Sequence, residues 1–268
     1  MSKEKIHKVV TILAVGGLDP SGGAGILIDS AAIRSLGLHA AAVTALTTVQ
    51  DGSVFRESKA TWTKIVSNSV DAVLSSQNVG AVKTGALGNA NIIEALAKIT
   101  TSKKFPPLII DPVLKSTSGG VLLNDDGLEA LIKHLIPKAY LITPNLDEAE
   151  ILAQMPVRTV EQMKEAAFKI LALGCDAVLI KGGHLGGETS VDVLVDQNTK
   201  AHQIKTKRLN IDEIRGTGCA LASLIAGYIA MDFPLNKAVY LAKQKLTLAM
   251  QNSVAIDRKN GPRVLKFS

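Results

Sequence analysis

Three scarcities bound this 268-residue chain. Aromatic residues are only 3% of it and no basic stripe is interleaved with them, so nucleic-acid binding is unsupported. Charge of one sign is not concentrated either: 30 Lys and Arg stand against 24 Asp and Glu, a net of +6 that is spread out. Such a balance favours an acidic substrate or a nucleotide. Cysteine occurs twice, at Cys175 and Cys219, with no Cys-x-x-Cys pair. With no leader peptide and no apolar run long enough to span a bilayer, the expected setting is reducing and cytoplasmic, without a membrane partner. Repeats, linkers and low-complexity tracts are missing too. What is abundant is hydrophobic side chain, 47% of the residues, enough to bury one large core in a single domain over residues 1–268.

Strand and helix patterns alternate along the chain. Val9 to Val15 reads as a buried first strand stopped by Gly16-Gly17, the loop Asp19 to Gly25 follows, and Ile26 to Leu36 has helical apolar spacing. Ala40 to Leu46 is a second strand, Trp62 to Leu74 a helix, Val79 to Lys83 a strand and Asn91 to Ile99 a helix. Short buried strands recur at Leu108-Ile109-Ile110, Tyr140 to Thr143 and Ala177 to Ile180. A late hairpin is expected at Val191 to Val195 and Gln203 to Lys207, and two helices in the last ~50 residues. This rhythm predicts an α/β fold, a mostly parallel sheet with helices on both faces.

Ligands of open α/β sheets bind beyond the carboxyl ends of parallel strands, and that edge receives Asp111, Asn145, Glu148 and Lys181. Asp111-Pro112 is either a turn initiator or a group within reach of a metal-bridged phosphate. Asn145 suits the N-cap of a helix whose acidic first turn includes Glu148, and a helix start of that kind also holds Glu148 near a divalent cation. Lys181, beside Gly182-Gly183, is placed to contact nucleotide phosphates, whereas His184 reads as a loop residue. The run Asp212-Glu213-Ile214-Arg215-Gly216-Thr217-Gly218-Cys219 leads into an apolar helix. Its glycines let backbone N–H groups converge at a helix N-terminus, an anion hole with the cysteine pointing into it.

The chain resembles the hydroxymethylpyrimidine and hydroxymethylpyrimidine-phosphate kinases of thiamine biosynthesis, in the ribokinase-like superfamily. The resemblance is carried by Asp19 to Ile26, Thr44 to Thr47, Lys83-Thr84-Gly85, Asp111-Pro112-Val113 with Thr117-Ser118-Gly119, Ile142 to Ala149, Lys181 to His184 and Gly216 to Cys219. It implies a three-layer α/β/α sandwich, ATP and Mg²⁺ as cofactors, a heteroaromatic alcohol or its phosphate as substrate, and a homodimer. It further implies that Gly17, Asp19, Gly23, Ala24, Asp29 and Val113 belong to the substrate pocket, that Asp111 and Glu148 attend Mg²⁺, and that Asn145, Lys181 and Thr217 meet ATP. Gly216, Thr217, Gly218 and Cys219 would form the catalytic anion hole, with Cys219 nearest the hydroxymethyl group. A cysteine at such a helix start is expected to have a lowered pKa or to serve as geometry alone.

Two places depart from the family pattern. Val49 stands where a ring-contacting Gln or Glu is usual, with Gln50 one place later, and Ala86 stands where a methionine is frequent. Val49 and Ala86 are therefore expected to line the ring pocket, and a shifted loop would bring in Gln50. Pyridoxal kinases that share the cysteine are the alternative, and a catalytically silent ligand-binding relative is the reading outside enzymology.

Overall fold

The computed structural model describes residues 9–102, 104–116, 119–183, 185–198, 200–211, 214–256 and 262–268. Thr117-Ser118, His184 and Asp212-Glu213 lie outside the described residues. Burial on alternate faces explains the architecture. In β1 (Thr11–Leu18), Ile12 and Ala14 pack into one hydrophobic cluster while Leu13 and Val15 pack into another. A strand apolar on both faces needs helices above and below it.

One face is covered by α1 (Gly25–Arg34), α7 (Thr217–Ala230) and α8 (Leu235–Gln251). The other is covered by α2 (Thr63–Ser76), α3 (Ala90–Ile99), α4 (Asp125–Ala130) with its π and 3₁₀ continuation to Lys138, α5 (Leu146–Ala153) and α6 (Val160–Leu171). The strands between them are β2 (His39–Gln50), β3 (Phe55–Ala60), β4 (Val79–Thr84), β5 (Leu108–Ile110), β6 (Leu141–Ile142), β7 (Ala177–Ile180), β8 (Thr189–Asp196) and β9 (His202–Lys207). The result is the three-layer α/β/α sandwich.

Among the described residues the sheet order is β3-β2-β1-β4-β5-β6-β7-β8-β9. The pairings from β2 through β7 are parallel, and β3, β8 and β9 add antiparallel edges. From β1 the chain steps first to β2 on one side and later to β4 on the other. That reversal opens a crevice at the carboxyl ends of β1 and β4.

Three expectations change. Gly16-Gly17 do not end β1, which runs to Leu18 through a register shift at Gly16/Gly17, because the glycines bend the strand without breaking its pairing with β2. The second strand continues past Leu46 to Gln50, since β3 pairs with its far end. The C-terminal region adds to its two helices a small sheet of β10 (Ile214–Arg215), β12 (Arg263–Val264) and β11 (Val254–Ala255). The late hairpin forms as expected, as β8 and β9.

Candidate active site

A cavity of about 720 Å³ lies beyond the carboxyl ends of the parallel strands. Its floor is the start of α7. Gly216 occupies the N-cap position with φ +74° and offers no side chain, so the first turn has no side-chain cap. Ala220 is the first residue whose N–H bonds back, to the Gly216 carbonyl at 2.9 Å. Among the described residues this leaves the N–H groups of Thr217, Gly218 and Cys219 without a capping side chain, a positive terminus suited to an anion. Gly216 is needed for its backbone, because a Cβ there would sit 2.3 Å from the Gly23 carbonyl oxygen. Gly218 differs: it is helical, and a Cβ would meet only the Lys181 ammonium, at 3.1 Å. The conformational demand falls on the first glycine of the pair.

Charged side chains from the strand ends surround this floor. Lys181, after β7, holds Asp111, after β5, at 2.8 Å. Burial pushes the Asp111 carboxyl up, but the Lys181 and Lys83 ammonium groups outweigh it and hold it below the usual carboxylate range. The β6 and β7 ends are bridged at Asn145 and Lys181, and the Lys181 N–H donates to the Pro144 carbonyl. Asn145 caps α5: its Oδ1 accepts from the Glu148 N–H, and the Glu148 carboxylate accepts from the Asn145 N–H, both at 2.8 Å. The capping reading holds, and the cap leaves both residues on the cavity wall. Burial, together with the Asp111 charge, raises Glu148 to about 7 despite Lys181 nearby.

Lys83, at the end of β4, has no role that the sequence alone assigns. It is fully buried and donates to both Asp29 carboxylate oxygens at 2.9 Å, while Ser223 donates to one of them at 2.8 Å. Burial lowers the Lys83 pKa, but Asp29, Cys219 and Asp111 more than reverse that, so it stays charged. Asp29 thus lines the cavity with its carboxylate already paired to Lys83 and Ser223. The signal for Lys83 was present, a lysine at the end of a buried strand much as Lys181 follows one.

Cys219 also corrects an expectation. Burial pushes its thiol up to about 12, the Lys83 ammonium only partly opposing it, and Asp111 and Asp29 add to the rise. The helix terminus does not win, because burial disfavours the thiolate and two carboxylates share the same enclosure.

The other end of the cavity is apolar on one side, where Ala86 and Val113 pack with Leu46, Leu122 and Phe55. Gly17 and Ala24 lie along the wall. Val49 does not line it. Strand alternation puts Leu46, Thr48 and Gln50 on the inward side of β2, so Gln50 is 8% exposed and on the cavity wall whereas Val49 is 45% exposed to solvent. Gly23 stands behind the wall, with a Cβ position 3.2 Å from Val264 and 3.3 Å from Arg215.

Arg215 is the second residue that sequence reasoning missed. It is buried, and its guanidinium donates to the Asp19 carboxylate at 3.2 Å, to Gln50 Oε1 at 2.9 Å and to the Gly52 carbonyl. These partners lie 196, 165 and 163 residues away in sequence. Local pattern carries no sign of such pairing.

A family model described as phosphomethylpyrimidine kinase matches residues 19–264. A hydroxymethylpyrimidine/phosphomethylpyrimidine kinase of Aquifex aeolicus is 36% identical, over 95% of this chain and 99% of that one. The thiamine biosynthesis bifunctional protein ThiED of Geobacter sulfurreducens is likewise 36% identical over 94% of this chain, which spans about half (51%) of that protein's length. Among solved structures, an ADP complex of Bacillus subtilis pyridoxal kinase superposes with a TM-score of 0.87 at 30% identity, covering 97% of this chain and 98% of that one. A Clostridium difficile phosphomethylpyrimidine kinase gives 0.78 at 35% identity, covering 90% and 99%.

Proposed function

The chain belongs to the phosphomethylpyrimidine kinase family, and from that premise we propose that it transfers the terminal phosphoryl group of ATP to the hydroxymethyl group of 4-amino-5-hydroxymethyl-2-methylpyrimidine, and then to the monophosphate so formed. The observation that carries this reading is the uncapped start of α7 with Lys83 and Lys181 beside it, opposite an apolar ring-sized wall. Phosphoryl transfer has a loose transition state, so positioning and stabilisation of charge on the phosphoryl oxygens supply most of the catalysis. Three backbone N–H groups, the buried Lys83 ammonium and the part-buried Lys181 ammonium do that here. Asp111 holds Lys181 in place and Asp29 holds Lys83, so neither cation has to be ordered during the reaction.

Cys219 acts by shape and as a weak donor. Its thiol is protonated at neutral pH, and Asp111 is the carboxylate it faces. Little proton removal is required before the oxygen–phosphorus bond forms, so a thiol is tolerated at this position.

The chemistry of the donor set fits Mg²⁺. That ion is bound by one or two carboxylates with phosphate oxygens and waters making up the rest. Asp111 and Glu148 both line the cavity, and burial, with the Asp111 charge adding to it, raises Glu148 to about 7. Mg²⁺ held by this pair would neutralise phosphate charge. Asn145 uses its oxygen as the α5 cap and keeps its amide nitrogen as a donor toward the nucleotide phosphates.

A pyridoxal-type ring is the second reading, favoured by one observation, the 0.87 TM-score to the Bacillus subtilis pyridoxal kinase. ATP consumption measured with hydroxymethylpyrimidine, its monophosphate and pyridoxal separates the two: the reading stands if both pyrimidines are turned over with a higher kcat/KM than pyridoxal, and falls if pyridoxal is preferred or nothing is phosphorylated. Exposed Val54, Trp62 and Ile65 around the edge strand β3 support a homodimer, which size-exclusion chromatography tests. The unbridged thiols of Cys175 and Cys219 support a reducing, cytoplasmic setting.

A further inference from the structure

At the ring end of the cavity a chain of hydrogen bonds runs in one direction only. A guanidinium has donors and no acceptor, so the group it meets on Gln50 must be the amide oxygen, 2.9 Å from Arg215 Nη2. The Gln50 nitrogen then donates to Thr48 Oγ1 at 2.9 Å, and the Thr48 hydroxyl donates to the Leu18 carbonyl at 3.2 Å. Every link follows from the first. Turning the Gln50 amide over would set its NH₂ against the buried guanidinium and strand both groups.

One donor is left over among the described residues. The Gln50 NH₂ has two N–H groups, Thr48 takes one, and the residue lies on the cavity wall. The Asp19 carboxylate beside it is already engaged on both oxygens. Its Oδ1 accepts from the Ser21 N–H at 2.9 Å and the Ser21 hydroxyl at 2.8 Å, and its Oδ2 accepts from Arg215.

We propose that Arg215 is a positioning residue that fixes the polarity of Gln50, so that the substrate edge read there carries a hydrogen-bond acceptor, such as a ring nitrogen, and not an amine. The selectivity of the ring end would thus be set by a residue next to the anion hole, through strand β10. This rests on the reading above that the cavity takes a heteroaromatic alcohol.

The test compares 4-amino-5-hydroxymethyl-2-methylpyrimidine with its two carba analogues, in each of which one ring nitrogen is replaced by C–H. With the unmodified protein one analogue is expected to lose about 10- to 100-fold in kcat/KM, mostly through KM, because a buried donor is left unpaired. Gln50→Glu keeps a partner for Arg215 but has no N–H. It should lose at least tenfold on the parent pyrimidine, keep its KM for ATP, and no longer distinguish the analogues. Arg215→Met, which frees the amide to rotate, should narrow the discrimination to less than about threefold. Gln50→Glu acting on the aminopyrimidine as well as the unmodified protein, or the unmodified protein treating both analogues like the parent, overturns the proposal. Should either variant fail to fold, the analogue series on the unmodified protein decides alone. Absence of turnover with any ring alcohol sinks the kinase reading itself, a result distinct from turnover without discrimination.

Discussion

The two ends of the cavity are built differently. At the phosphoryl end, each polar group sits at or just past the end of a buried parallel strand or at the start of a helix: Lys83 at the end of β4, Asp111 after β5, Asn145 and Glu148 at the start of α5, Lys181 after β7, and the open start of α7. Their positions follow from the sheet, and buried ion pairs lock them. At the ring end, a strand edge, a glycine loop and a residue from the far end of the chain meet at one guanidinium. The first end is a property of topology; the second is a property of long-range contact. Substitutions should therefore act through stability and charge at one end and through selectivity at the other.

The largest effect is expected from Lys83→Met. It leaves Asp29 buried with Ser223 alone, and breaking a buried pair in this way costs about 3–5 kcal/mol. Thermal unfolding should report that loss, and turnover should fall at least 100-fold. Adding Asp29→Asn should return much of the stability and none of the turnover. Recovery of turnover in the double variant would reduce the pair to a structural device and dissolve the contrast between the ends.

Gly216→Ala comes next. The added Cβ collides with the Gly23 carbonyl at a positive φ, so the α7 start must shift, with a loss of roughly 100-fold in kcat. Gly218→Ala, whose Cβ faces a lysine tip, should lose clearly less. Equal losses would mean that both glycines serve as space for the phosphoryl group and that backbone conformation is not what selects Gly216.

Cys219 separates geometry from base catalysis. With its thiol near 12, Cys219→Ser and Cys219→Ala should each stay within about tenfold of the unmodified kcat, since removal of a general base costs roughly 10²-fold or more. Their pH–rate profiles should overlay that of the unmodified protein between pH 6 and 9. A profile that changes on removal of the sulfur would restore the base.

Glu148→Gln tests the strain at the phosphoryl end. Glu148 has a folded pKa of about 7 against an ordinary value of 4.5. The folded state thus binds the proton more tightly, and this group's contribution to stability is greatest at low pH and is lost as pH rises from about 4.5 through 7. Glutamine keeps the capping box and removes the charge. The Tm advantage of the variant over the unmodified protein should therefore be larger at pH 8 than at pH 5, and saturating Mg²⁺ should shrink it. A pH-independent difference would contradict the raised pKa.

The smallest effect is expected at Val49. Because it faces solvent, Val49→Gln should change the ratio of kcat/KM for hydroxymethylpyrimidine and pyridoxal by less than twofold, while Ala86→Met, inside the cavity, should shift it. A large response at Val49 would place the β2 register off by one, since a slip of one residue exchanges the faces of the strand.

Much of the phosphoryl end could be read from the chain alone. A short apolar run followed by Asp111 or Lys181, an Asn145-x-x-Glu148 helix start and the Gly216-Thr217-Gly218 turn are local patterns whose geometry is fixed within a few residues by strand ends, caps and backbone freedom. Lys83 carried the same local sign and was passed over. The rest depended on the assembled fold. Which of Val49 and Gln50 faces inward was decided by the continuation of β2 and its pairing with β3. The charge state of Cys219 was decided by the burial that folding imposes on it, with Asp111 and Asp29 adding to the rise, against the helix terminus that its sequence advertises. Arg215 met Asp19 and Gln50 only because β10 crosses to the start of the chain, and a contact closed over more than 160 residues leaves no periodicity, spacing or motif in the sequence for its physics to be read from.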